Sequence, residues 1–170
     1  MTLYDETIPI VDKMLANLEA WLDIATEHAR ARRFDPELFL SSRLAPDQYD
    51  LKRQIQSACD QAKFAAARVT GKEPPTHPDT EQTMDELRAR IRTVRQYLAT
   101  FREADFEGAE ERVVPLFFLP GKGMLASDWL REFSLPSFYF HATTAYAILR
   151  AGGVPLGKAN YIGMLSLRPL

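Results

Sequence analysis

Scarcity sets the first limits on this chain. One cysteine, Cys59, in 170 residues leaves no internal disulfide and no cysteine-rich zinc module. Three histidines, His28, His77 and His141, restrict any imidazole-based metal site. Charge of neither sign dominates: the net charge is −2 and the pI about 5.9, which removes the electrostatic case for nucleic acid. No apolar run approaches the ~18 residues that cross a bilayer, so no membrane partner is expected. The N-terminus lacks the basic-then-apolar order of a signal peptide, and a cytoplasmic location is the expectation. Gly121-Lys122-Gly123 lacks the remainder of a phosphate-binding loop and reads as a turn.

What is present is helical periodicity. Ile8, Val11, Leu15, Leu18, Leu22 and Ala25 recur in steps of three and four, a single apolar stripe. Pro9 is tolerated only near a helix start, so the spacing predicts a beginning between Thr2 and Thr7. Leu51, Ile55, Ala58, Ala62, Ala65 and Val69 repeat the pattern, with Pro46 or Asp50 opening the helix and Gly71 closing it. The alanines of this second helix allow a neighbour to approach closely. A proline-rich linker over 72–79 follows, and Asp79 with Gln82 predicts a capping box for helix three. Met84, Leu87, Ile91, Val94 and Leu98 supply its inner stripe, while Arg88, Arg90, Arg92 and Arg95 read as a solvated face.

After Arg112 the pattern changes. Val113–Leu119 is β-branched and aromatic, and Pro120–Gly123 is a turn signal, which together predict a short hairpin. A short helix from Ser127 or Asp128 through Phe133 is expected next. The final helix then opens near Pro136, with Phe138, His141, Ala142, Ala145, Ile148 and Leu149 inward. Gly152-Gly153 ends it, and the tail from Val154 to Leu170 is expected to pack on the body. The chain therefore reads as one domain over residues 1–170, all-α, a four-helix bundle with a small β-hairpin between helices three and four.

Few residues carry chemistry. His141 sits among aromatics on an apolar helix, either as a hydrogen-bonded core histidine or as a base or ligand contact in a pocket. Its neighbours at three and four positions on are Thr144 and Ala145, so the paired-ligand spacing of a helical metal site is missing. Gln54 flanks the stripe of helix two, where it can form a polar wall facing His141. Tyr146 is a further candidate partner, and Arg43 and Asp47 stand at the rim. Cys59 in mid-helix reads as a small buried hydrophobe.

Several runs carry a family likeness. Leu3-Tyr4-Asp5, Arg43-Leu44-Ala45-Pro46-Asp47, Arg53-Gln54-Ile55-Gln56, Ala58-Cys59-Asp60 and Phe138–Arg150 resemble an uncharacterised bacterial domain-of-unknown-function family, similar in architecture to the DinB-like helical bundles. The resemblance spans nearly the whole chain and is most specific at Phe138-Tyr139-Phe140-His141. It implies a four-helix bundle, often homodimeric, in which many members hold a metal on one histidine of helix two and two of the last helix. Here the second helix has no histidine and position 145 is alanine, so that triad does not carry over. The first reading is thus a metal-free, cofactor-free bundle with a small-molecule pocket between its helices, contacted by His141, Tyr146, Gln54, Arg43 and Asp47. Two others stand beside it: a homodimeric interaction module without an active site, presenting aromatics such as Trp129, Phe117 or Tyr161, and a transferase or hydrolase with a degenerate metal site of His141, a carboxylate and water.

Overall fold

The computed structural model describes residues 2–169. Helix α1 spans Leu3–Ala31, and Thr2 and Asp5 close a capping box at its start. A 3-10 segment over Pro36–Ser41 leads to α2, Leu51–Thr70, which Asp50 caps through its side chain and Gly71 ends in the left-handed region. Helix α3 spans Met84–Leu98. Its capping box is Thr83 with Glu86, four residues beyond the expected pair; Asp79 instead pairs with Arg53 and Arg90.

Strands β1, Val113–Pro115, and β2, Gly123–Leu125, form an antiparallel hairpin with Val114 opposite Met124. Helix α4 is a three-residue turn, Ala126–Asp128, that widens into π-helical turns over Trp129–Ser134 and runs directly into α5, Leu135–Ala151. The two separate helices expected here are one continuous rod. The wide turns come just before Pro136, which has no N–H to give to the regular ladder. A short α6 spans Lys158–Ile162. No helix is long and apolar enough to cross a membrane.

Helices α1, α2, α3 and α5 form the bundle, around one continuous apolar core. Val11, Leu15, Leu18 and Leu22 of α1 meet Ile55, Ala58 and Ala62 of α2 and Ala142 and Ala145 of α5 in that core. The alanines let α2 and α5 pack closely, which is what brings polar side chains of the two helices within reach of each other. The tail packs through Val154, Leu156 and α6, but Met164, Leu165 and Leu167 are exposed, and Leu170 lies outside the described residues. The expected docking of the whole tail thus stops at Gly163.

Two of the four arginines of α3 do not face water. Arg88 and Arg90 are buried; Arg88 reaches Asp23, Asp85, Thr26 and the Leu22 carbonyl. Arg90 is held by Asp60 of α2 at 2.9 Å, Glu81 at 3.0 Å and the Pro78 carbonyl at 3.2 Å. Their long side chains run along the helix surface to carboxylates on neighbouring elements, which periodicity alone does not reveal.

Candidate functional site

Gln54 occupies the first turn of α2, three residues after Leu51 and four before Ala58, so it shares the buried face of its helix. His141 stands likewise between Phe138 and Ala145 on α5. The close packing of α2 and α5 joins them: His141 Nδ1 and Gln54 Oε1 are 2.8 Å apart. The Gln54 side chain is fully buried, and its other end is fixed as well, because Nε2 donates to the Tyr49 carbonyl at 3.2 Å.

These two contacts determine a tautomer. Only the amide nitrogen can donate to a carbonyl, so the amide oxygen is the atom turned to His141. That oxygen accepts, so Nδ1 carries the hydrogen and Nε2 keeps its lone pair. Nε2 has no partner among the described residues. Burial, aided by the Arg53 cation, pushes the His141 imidazole below its ordinary pKa. At neutral pH it is therefore an uncharged ring with one spoken-for N–H and one available base nitrogen. The exposed Phe140 ring packs edge-on against it, 5.3 Å between centroids.

The loop before α2 touches this dyad through the Tyr49 carbonyl. Arg43 reaches Asp50 at 3.6 Å and the Pro46 carbonyl at 3.5 Å. Asp47 is exposed and makes no ion pair among the described residues. The Tyr49 ring lies beneath the Arg53 guanidinium, 5.5 Å to its centroid. Tyr146 is elsewhere: it packs on Trp21 at 5.4 Å and on Tyr161 at 5.5 Å. Five residues along a helix is about 140° round its axis, so Tyr146 faces α1 and α6 while His141 faces α2. The structure thus brings Gln54 and His141 together, keeps Arg43 and Asp47 in the adjoining loop, and sets Tyr146 apart. Residue patterning did not single out Tyr49 and Phe140 as parts of this site.

The donor set does not fit the three-histidine metal centre that the resemblance implies for many relatives. The α2 residue that meets His141 is an amide whose oxygen is already accepting a hydrogen bond. On α5, Ala145 offers no donor and the Thr144 hydroxyl is given to the Phe140 carbonyl at 2.7 Å. Among the described residues no group of three or more His, Cys, Asp and Glu stands close enough to hold a metal ion. Cys59 is no nucleophile here, since burial pushes its thiol up to about 12.

Comparison with known proteins agrees with the architecture. A crystal structure of a DinB family member from Shewanella denitrificans superimposes with a TM-score of 0.96 and 43% sequence identity, covering 99% of this chain and 96% of that one. None of the curated proteins matches the chain significantly. The model of the domain of unknown function DUF1993 matches residues 3–162. With its bundle fold, its likeness to a DinB family member and a match over nearly its whole length, the chain belongs to the DUF1993 family and is DinB-like.

Proposed function

We propose that this protein binds a small molecule against the α2–α5 face without the three-histidine metal centre, using His141 Nε2 to accept a hydrogen bond or a proton from the ligand. The observation that carries this reading is the Gln54–His141 hydrogen bond, which orients the ring and fixes its tautomer. An amide partner matters here. A carboxylate on Nδ1 would stabilise the imidazolium, whereas an amide leaves the ring neutral. The chemistry favours a ligand that presents a hydroxyl, thiol or N–H to Nε2 and an apolar edge to Phe140. Arg43 and Asp47, on the loop before α2, would meet its polar end.

A thermal-shift screen of small hydroxyl-, thiol- and amine-bearing compounds tests this, run in parallel on the wild type and His141→Gln. Compounds that raise the Tm of the wild type alone support it. A screen in which no compound separates the two proteins contradicts it.

One observation favours a second reading, an interaction module. Phe117 is 75% exposed at the hairpin tip, with Phe118 and Leu119 also exposed beside it. Trp129 is fully buried and Tyr161 is half-buried, so of the aromatics named above Phe117 alone serves this purpose fully. A dimer through this tip would be lost in a Phe117→Ser, Phe118→Ser double variant, as read by light scattering.

A further inference from the structure

A second polar feature lies at the opposite end of α2 from Gln54. Arg68, in the last turn, is half-buried, and its guanidinium is surrounded by aromatic rings: Phe64 at 4.6 Å, Trp129 at 5.6 Å and Phe117 at 5.7 Å to the centroids. It makes no ion pair and no hydrogen bond among the described residues, although burial disfavours its charge. Cation–π contacts offset part of that loss but leave the N–H fork empty.

A second unpaired guanidinium comes from across the chain. Arg112, just before β1, lies over Gly71 so closely that a Cβ there would sit 2.6 Å from Arg112 Cζ. Gly71 has φ +71°, so glycine both ends the helix and makes room for the cation. Arg112 also lacks an acidic partner among the described residues. The two arginines line one open groove of about 460 Å³, walled on its apolar side by Val113, Pro115 and Phe117. Two other charges face it. Lys72 is committed to Asp105 at 2.7 Å, and Glu73 at the rim is the one acidic residue lining the groove.

We propose that this groove between the end of α2 and the hairpin binds a small organic anion, a carboxylate or phosphate monoester carrying a flat apolar group. The two guanidinium forks supply the oxyanion contacts, where charge-assisted bonds are strongest. Phe117 and Pro115 supply the surface for the apolar group. The site is independent of His141.

Calorimetric titration of the full chain with phenyl phosphate, benzoate, inorganic phosphate and phenol tests the assignment. Phenyl phosphate or benzoate is expected to bind, more tightly than inorganic phosphate, with phenol showing no heat. The tighter of the two identifies the headgroup. Arg68→Gln and Arg112→Gln are each expected to weaken binding by about tenfold or more, while Glu73→Gln tightens it by removing the opposing charge. Phe117→Ser is expected to erase the preference for phenyl phosphate over inorganic phosphate. Arg112 is on the surface, so its variant remains informative if Arg68→Gln disturbs folding. No binding of either aromatic anion at millimolar concentration, equal binding of phenol, or indifference to Arg112→Gln and Glu73→Gln would overturn the assignment.

Discussion

At His141 the identity of one neighbouring side chain determines which ring nitrogen is a base. Gln54 accepts from Nδ1 and donates to the Tyr49 carbonyl, and both ends must be satisfied because the side chain is buried. Gln54→Leu strands that carbonyl and the imidazole N–H, and is expected to cost about 1–3 kcal/mol in chemical denaturation. Gln54→Glu has the opposite electrostatic sense: a carboxylate on Nδ1 is expected to raise the His141 pKa, measured by NMR titration. The depressed pKa also has a sign in stability. The unfolded imidazole takes its proton near 6.5 and the folded one at lower pH, so in between the unfolded chain binds more protons. Stability is therefore expected to fall as pH drops from about 6.5 to the folded value, and His77, lowered chiefly by burial, adds in the same direction. His141→Asn is expected to flatten the His141 share of that slope. Periodicity made both members of the dyad legible as candidates, since Gln54 flanks the apolar stripe of its helix and His141 lies on the inner side of its own; that the two helices meet at these positions came from the packing. The Tyr49 carbonyl was not legible, because it belongs to a loop whose path follows from tertiary packing.

Among the elements, α3 shows where a stripe rule stops working. Its apolar side, Met84 to Leu98, is where periodicity puts it, yet Arg90 is 5% exposed and pinned by three carboxylates. Those carboxylates come from α2 and from the linker before α3, so the arginine fastens a proline-rich segment onto the bundle. Glu81 completes the tie: burial works to raise its pKa, but hydrogen bonds from Gln56, the backbone and Arg90 outweigh it and hold the carboxyl below its usual range. Two residues on, Arg92 pairs with Glu19 at the surface, its side chain 61% exposed. The two positions give a direct contrast. Arg90→Met is expected to cost about 2–3 kcal/mol by removing a buried cation from three converging, partly exposed carboxylates, whereas Arg92→Met costs about 0–1 kcal/mol. Urea denaturation of the two variants checks it, and equal losses would contradict it. The same pairing displaced the helix start: Asp79, the expected cap, serves Arg53 and Arg90, and Thr83 takes the capping role.

For the whole molecule, the bundle and its hairpin were legible because four apolar stripes, each too long for a loop and each with one face to bury, admit few arrangements. The continuity of α4 with α5 was not, since it depends on π turns over Trp129–Ser134 that no periodicity rule signals. Nor was the exposure of Met164, Leu165 and Leu167, whose apolar character alone suggested docking. One core joins all the helices, and Trp21 of α1 and Trp129 beside the hairpin are both fully buried in it. Unfolding is therefore expected to be cooperative. Trp21→Phe and Trp129→Phe proteins, each followed by its remaining indole, are expected to show the same guanidinium m-value and fluorescence transitions that coincide with loss of helical circular dichroism. Fluorescence that changes well before the helices melt would show two cooperative units.

Side-chain nitrogen-15 NMR tests most directly whether His141 is a neutral base whose free nitrogen is Nε2. At pH 7 the spectrum is expected to show a single neutral tautomer with the hydrogen on Nδ1, which gives way to imidazolium at a pH below the ordinary histidine value. A ring protonated on Nε2, or an imidazolium that persists at pH 7, would contradict it.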